Sequence, residues 1–130
     1  MRYFTPDEAS AQLERVRPLA ERMVAHRKAM LAAQAREEEL RARVAGNGGG
    51  IDPGEPARAE AAVEREAKAI AQLVDEIHGL GAQVKDIDTG LLDFPSLRDG
   101  GEVLLCWRVG EEAIRYWHGL DDGFAGRRPL

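Results

Sequence analysis

Cys106 and His118 are residue types that can supply a nucleophile and its base, and they lie close together near the C-terminal end. Because Cys106 is the only cysteine, the chain can form no internal disulfide and no paired-cysteine metal motif. If Val109 faces Ile114 across a hairpin, strand alternation places Cys106 and His118 on opposite faces of a sheet. A register shifted by one residue would join them but would mix arginines into the core face. We therefore expect Cys106 to be a small buried hydrophobic residue.

The same register gathers basic side chains on the outer face. Arg108 and Arg115 then oppose each other with Trp117 beside them, and directly opposed like charges destabilise a sheet. Arginines beside an aromatic ring suit the binding of a carboxylate or phosphate, whereas solvation or internal pairing with aspartates is the plainer interpretation. The candidate ligand site comprises Arg108, Arg115, Trp117, Asp86 and Asp88.

Carboxylates that share a strand face could also hold a metal ion. Asp86 and Asp88 are two residues apart, and Asp93 follows, although pairing with arginines or the capping of turns would explain all three. The stretch from Asp86 begins like a calcium loop, but Leu97 stands where that loop needs a glutamate. No specific motif indicates a cofactor. A divalent metal ion is the only cofactor that the sequence leaves open. The weakly indicated metal ligands are Asp86, Asp88, Glu112 and His118.

Two long helices must carry these strands. Residues 5–8 predict a capped helix start, and the apolar spacing of the first helix continues to about Ala45. Pro18 lies inside this pattern and should kink the helix. A second helix of matching length is predicted after a tip loop at about residues 46–52, and it ends at Gly79 or Gly81. The sequence therefore predicts an antiparallel helical hairpin.

Beyond residue 80 the hydrophobic period changes from 3.6 to two, which indicates strands. Five of the seven aromatic residues lie in residues 84–128. The predicted strands are Val84 to Asp88, Leu91 to Phe94, Glu102 to Val109 and Ala113 to His118. We predict the α+β class, with a hairpin over residues 1–80 and a small antiparallel sheet over residues 81–130 in a single structural domain.

The overall charge argues against a general polyanion binder. The net charge is −5 and the isoelectric point is about 5.2. Basic residues in the first helix are interleaved with Glu14 and Glu21, which favours a solvated helix face over a nucleic-acid contact. No apolar run approaches membrane-spanning length, so we expect a cytoplasmic protein.

Several motifs resemble one known family. They are Phe4 to Ala9, Val84 to Pro95, Leu105 to Arg108, Gly110-Glu111, Tyr116 to His118 and Gly123 to Arg127. On these residues the chain resembles the small bacterial family catalogued as domain of unknown function 2203, over nearly its whole length. The resemblance implies a bacterial cytoplasmic protein and implies no catalytic residue, substrate or cofactor.

Three functions are consistent with these features. The first is a homo-oligomeric binding or assembly module, because the apolar stripe of the hairpin is longer than a small sheet can cover. The alternative is a small enzyme or ligand-binding protein whose anion- or metal-dependent site lies on the face of Arg108, Arg115 and Trp117. A minor alternative is nucleic-acid or ribosome binding through the first helix. We expect no membrane partner.

Overall fold

The computed structural model describes residues 2–46 and 50–130 and has an α+β architecture, which confirms the predicted class. Two helices pack together as a hairpin, and five antiparallel strands follow in the spatial order β1-β2-β3-β4-β5. The elements are α1 (Pro6–Ala45), α2 (Glu55–Gly79), β1 (Gln83–Asp86), β2 (Leu91–Arg98), β3 (Gly101–Arg108), β4 (Tyr116–His118), a short 3-10 helix (Phe124–Gly126) and β5 (Arg128–Pro129).

The start of α1 has the predicted cap. The Glu8 amide donates to Thr5 Oγ1 at 3.1 Å, and the Thr5 amide donates to Glu8 Oε1 at 2.9 Å. Helix α1 then continues without interruption through Pro18, which is exposed, so the proline does not end or divide the helix. Val16 and Ala20, on either side of it, are both fully buried in one core. A bend at Pro18 stays a prediction.

The seam between the helices follows the predicted apolar stripe of α2. Ile70, Leu73 and Ile77 are buried against α1 and the sheet. The interruption of this stripe at Glu66 has a local explanation, because Glu66 Oε2 lies 2.5 Å from His26 Nδ1 across the hairpin. Of the predicted tip loop, residues 47–49 lie outside the described part of the chain.

Strands β2 and β3 form a hairpin that the sequence analysis did not predict. They pair along their whole length, and a two-residue turn joins Arg98 to Gly101. Asp99 and Gly100 in this turn have φ values of 52° and 78°, as a type I′ turn requires. Asp-Gly is a strong sequence signal for such a turn, so the hairpin could have been predicted.

The predicted register of β3 and β4 is wrong by one residue. The observed pairs are Leu104 with His118, Leu105 with Trp117, and Cys106 with Tyr116. The reason is that the loop between β3 and β4 is not a short hairpin turn but a longer segment held in place by hydrogen bonds. The main-chain oxygen of Glu111 accepts bonds from Trp107 Nε1 at 3.0 Å and from Arg17 of α1 at 3.1 Å. β4 therefore begins only at Tyr116.

This register gives the sheet two distinct faces. The inner face packs on the helices and carries Leu92, Phe94, Leu105, Trp107 and Trp117. The outer face points away from the helices and carries Asp93, Cys106, Tyr116 and His118. The C-terminal arm, which we define as residues 119–130, follows β4.

Candidate metal site on the outer face of the sheet

Three buried side chains of different chemistry meet on the outer face. Asp93 of β2 pairs directly with Cys106 of β3, and His118 comes from the neighbouring strand β4. Their exposures are 2%, 0% and 3%. One potential ligand atom from each lies within 4.8 Å of the other two. We call these three residues the outer-face cluster.

The ring of His118 has a fixed orientation. Its Nδ1 lies 2.8 Å from the carbonyl oxygen of Gly119, and because a carbonyl can only accept, Nδ1 carries a proton. Its Nε2 lies 3.1 Å from Asp93 Oδ1. The Nε2 atom therefore either holds a second proton, as an imidazolium paired with the carboxylate, or directs a lone pair towards a proton or cation beside Asp93. A carbonyl that accepts from the remote nitrogen is the usual support of a metal-binding histidine.

Cys106 is not an activated nucleophile. Burial raises the pKa of its thiol to about 12, and the charge of Asp93 adds to this effect. The ring of His118 directs Nδ1 to the Gly119 carbonyl and Nε2 to Asp93, so neither of its two contacts is with the thiol. The expectation that Cys106 is buried is confirmed, whereas the expected separation of Cys106 and His118 onto opposite faces is wrong. A bound cation at the thiol would stabilise the thiolate.

The three donors form a suitable set for zinc. Thiolate sulfur, imidazole nitrogen and carboxylate oxygen are its common protein ligands, and three protein ligands leave a fourth position open. The charges also balance, because a divalent ion neutralises one carboxylate and one thiolate beside a neutral imidazole. Such balance matters since uncompensated buried charge is costly. Soft sulfur and imidazole ligands favour zinc over calcium or magnesium.

A cavity of about 140 Å³ reaches this cluster, and we call it the outer cavity. Asp93 and His118 both line it, so a ligand in the cavity could approach a metal at these residues. The remaining walls are Lys85, Leu91, Leu104, Leu120, Gly123 and Phe124. The cavity is therefore mostly apolar, with one lysine in its lining.

The C-terminal arm covers the cluster on the side of Cys106. The Arg127 guanidinium lies over the rings of Tyr116 and Phe124, at 4.2 and 4.5 Å from their centres. It donates to Glu111 Oε1 at 2.6 Å and to the carbonyl oxygen of Cys106 at 3.4 Å. Burial alone would raise the pKa of Glu111, but the bonds from Arg127 and the Arg108 amide bring it below its ordinary value. This ion pair fixes the arm on the outer face.

The structure does not bring the predicted arginine site together. Arg108 lies over the ring of Phe124 at 4.8 Å on the outer face, whereas Trp117 belongs to the inner face. Arg115 is exposed in the loop before β4, with its nearest carboxylate, Glu112, at 3.5 Å. The register shift separates them, because β4 begins after Arg115 and Arg108 pairs with Leu91 instead.

The two predicted aspartates have other partners. Asp86 accepts from the hydroxyl of Thr89 at 2.5 Å and from its amide at 3.0 Å, and these bonds lower the pKa of Asp86. Asp88 pairs with Arg27 Nε of α1 at 2.7 Å. Internal pairing with an arginine thus occurs for Asp88, although the partner is neither Arg108 nor Arg115. Ligand binding by Asp86 and Asp88 stays a prediction.

Among the predicted metal ligands, only His118 joins the outer-face cluster, and its companions there are Asp93 and Cys106. Glu112 is exposed in the loop before β4, and Asp86 is the last residue of β1. Sequence reasoning had noted Asp93 among the acids and had weighed Cys106 with His118. It missed the cluster because the assumed register separated them.

The fold and the outer-face cluster define an α+β protein that combines a helical hairpin, a five-stranded meander and a buried aspartate–cysteine–histidine group. The chain belongs to the family of uncharacterised conserved proteins DUF2203, whose model matches residues 2–130. Comparison with curated proteins and with solved structures gives no match. In the described part of the chain, neither helix has an apolar stretch that could cross a membrane.

Proposed function

We propose that this protein binds one divalent transition-metal ion, preferably zinc, through Asp93, Cys106 and His118. The observation that supports this most is the meeting of three different metal-binding side chains, all buried, with ligand atoms within 4.8 Å. The outer cavity is a second observation that supports the proposal, because it gives access to a fourth coordination position. A zinc ion with an open position binds water or a substrate oxygen, so we propose metal-assisted hydrolysis or hydration as the reaction class.

The spacing of the ligands supports this proposal. Zinc bonds of about 2.0–2.3 Å in a tetrahedron place neighbouring ligand atoms roughly 3.3–3.8 Å apart. Nε2 of His118 and Oδ1 of Asp93 are 3.1 Å apart, so an ion requires them to separate by only a few tenths of an ångström. The Gly119 carbonyl already selects the tautomer of His118 that leaves Nε2 free to bind the metal.

Cobalt substitution tests the proposed ligands directly. The full-length chain is titrated with Co²⁺, and we expect saturation at one ion per chain with a thiolate-to-cobalt charge-transfer absorption. Cys106→Ser should abolish that absorption, and Asp93→Asn should weaken cobalt binding. The matched control is Asp88→Asn, which alters an exposed aspartate paired with Arg27. A wild-type protein without the charge-transfer absorption would overturn the proposal.

A homo-oligomeric assembly is the second proposal, supported by a groove of about 480 Å³ near the hairpin tip. Its apolar lining includes Leu40 and Val44, and Val44 is 66% exposed. Glu37, Glu60 and Arg41 provide both signs of charge in the same groove. A surface that carries both signs can complement itself across a twofold axis, so a second copy of this chain is the occupant we propose.

Solution mass tests this assembly. Val44→Glu should convert a dimer into a monomer, because it places a charge at the centre of the proposed contact. Leu97→Glu is the control, since Leu97 is a similarly exposed apolar residue at 57% but lies on the sheet. A monomeric wild type at high protein concentration would exclude the assembly and would leave the metal proposal untouched.

A further inference from the structure

A lysine at a β-bulge lines the outer cavity. Between β1 and β2, Val84 pairs with Leu92 and Asp86 pairs with Leu91, so Lys85 is the extra residue. Bulges bend a strand and redirect a side chain, and they often occur beside functional sites. Lys85 lines the cavity that Asp93 and His118 also line. The extra residue of the bulge is therefore part of the lining of the candidate site.

The acids near Lys85 are engaged elsewhere. Asp86 is bonded to Thr89, Asp88 is paired with Arg27, and Asp93 faces His118. Within residues 2–46 and 50–130, no carboxylate oxygen lies within 4.0 Å of the Lys85 ammonium. Once a divalent ion is bound, the outer-face cluster is neutral, and Lys85 is the remaining charge in the lining of the cavity. The single ammonium group of Lys85 suits a ligand with one negative charge.

We infer that the outer cavity binds a short aliphatic carboxylate, with the acid group on Lys85 and the chain against the apolar wall. Leu104, Leu120 and Phe124 supply that wall. The volume of about 140 Å³ suits a ligand of about six heavy atoms, because a cavity of about 150 Å³ in another protein holds benzene. This inference rests on the proposed metal site in one respect, because a bound divalent ion offsets the negative charge of Asp93, which would otherwise weaken the binding of an anion beside it.

Butyrate and butyramide test this inference, since each has about six non-hydrogen atoms and only butyrate is charged at neutral pH. Each is titrated into the cobalt-loaded full-length protein and is followed through the cobalt spectrum and the amide NMR signals of Leu120 and Phe124. We expect butyrate to bind about tenfold more tightly than butyramide, as a charge-assisted hydrogen bond implies. Lys85→Gln should remove this difference. Lys68→Gln on the exposed side of α2 should preserve it.

Three results would overturn the inference. These are equal affinity of the two probes, a full butyrate preference in Lys85→Gln, or inorganic phosphate that binds as tightly as butyrate. Failure of the metal proposal has a separate signature, namely absence of cobalt binding in the wild type. In that case the metal-free protein is titrated with butyrate and followed by NMR. Binding that depends on Lys85 would then support a carboxylate site alone, and its absence would exclude that site as well.

Discussion

The two faces of the sheet use alternate residues of the same strands for different purposes. On β2, Leu92 and Phe94 pack into the helical core while Asp93 between them points outward. On β3, Leu105 and Trp107 flank Cys106 in the same way. Burial of the inner residues fixes the register, and the register then places the outer polar groups together. The apolar face therefore positions a cluster to which it contributes no side chain.

Removal of the largest fully buried side chain of the inner face should have the largest effect on stability. Trp107 is fully buried and packs against α1 and α2 in the core. We expect Trp107→Ala to lower the free energy of unfolding by about 3–5 kcal/mol, because it leaves a cavity. Urea denaturation measures this loss. A decrease of less than about 1.5 kcal/mol, the range of a conservative core substitution, would show that the inner face does not dominate stability.

Removal of His118 alone should lower the free energy of unfolding more than removal of His118 and Asp93 together. His118→Leu leaves the Asp93 carboxylate buried without its partner, and we expect a loss of about 3 kcal/mol. The double variant His118→Leu with Asp93→Val should recover most of that loss, because both polar partners are then gone. Urea denaturation of the metal-free proteins gives both values. A double variant less stable than His118→Leu would mean that the polar pair itself holds the fold together.

The attachment of the C-terminal arm should depend on pH through Glu111. Its pKa is lowered in the folded protein, so the ionised form is favoured by folding. The stabilisation is complete above the ordinary value of 4.5 and is lost as pH falls below that value through the lowered pKa. Glu111→Gln should therefore reduce stability at pH 7 and weaken the decline between pH 5 and the acid range, as measured by thermal unfolding. An unchanged pH profile in Glu111→Gln would contradict the role of the Glu111–Arg127 pair.

The smallest effects are expected at residues that the sequence favoured but the structure leaves exposed. Arg115 and Glu112 lie 3.5 Å apart in the loop before β4. We expect Arg115→Gln and Glu112→Gln to change stability by less than about 0.5 kcal/mol, because exposed ion pairs contribute little. Neither variant should alter cobalt binding. Loss of cobalt binding in Glu112→Gln would contradict the outer-face cluster as the metal site and would favour the ligands predicted from the sequence.

The helical part was predictable from local signals. Thr5 and Glu8 form the cap that their spacing indicates, and α2 ends at Gly79 as expected. Such signals act within one helical turn, so the sequence contains them in full. The register of β3 and β4 is different, because it depends on Arg17 of α1 holding the loop at Glu111. A contact between residues so far apart in the chain leaves no local pattern.

Part of the site could have been predicted from the sequence. Asp99-Gly100 indicates a two-residue turn, and counting outward from it pairs Asp93 with Cys106. That step would have placed two of the three cluster residues side by side. His118 could not be added in the same way, because its position depends on the length of the anchored loop before β4.

Zinc content is the most direct test of the central claim that the outer-face cluster is a metal site. The wild-type chain and Cys106→Ser are expressed with zinc, dialysed against metal-free buffer and measured by elemental analysis. We predict one zinc ion per wild-type chain, a large loss in Cys106→Ser, and equal helix content in the two proteins. A wild-type protein that retains no zinc after dialysis, or a Cys106→Ser protein that retains as much as the wild type, would contradict the account.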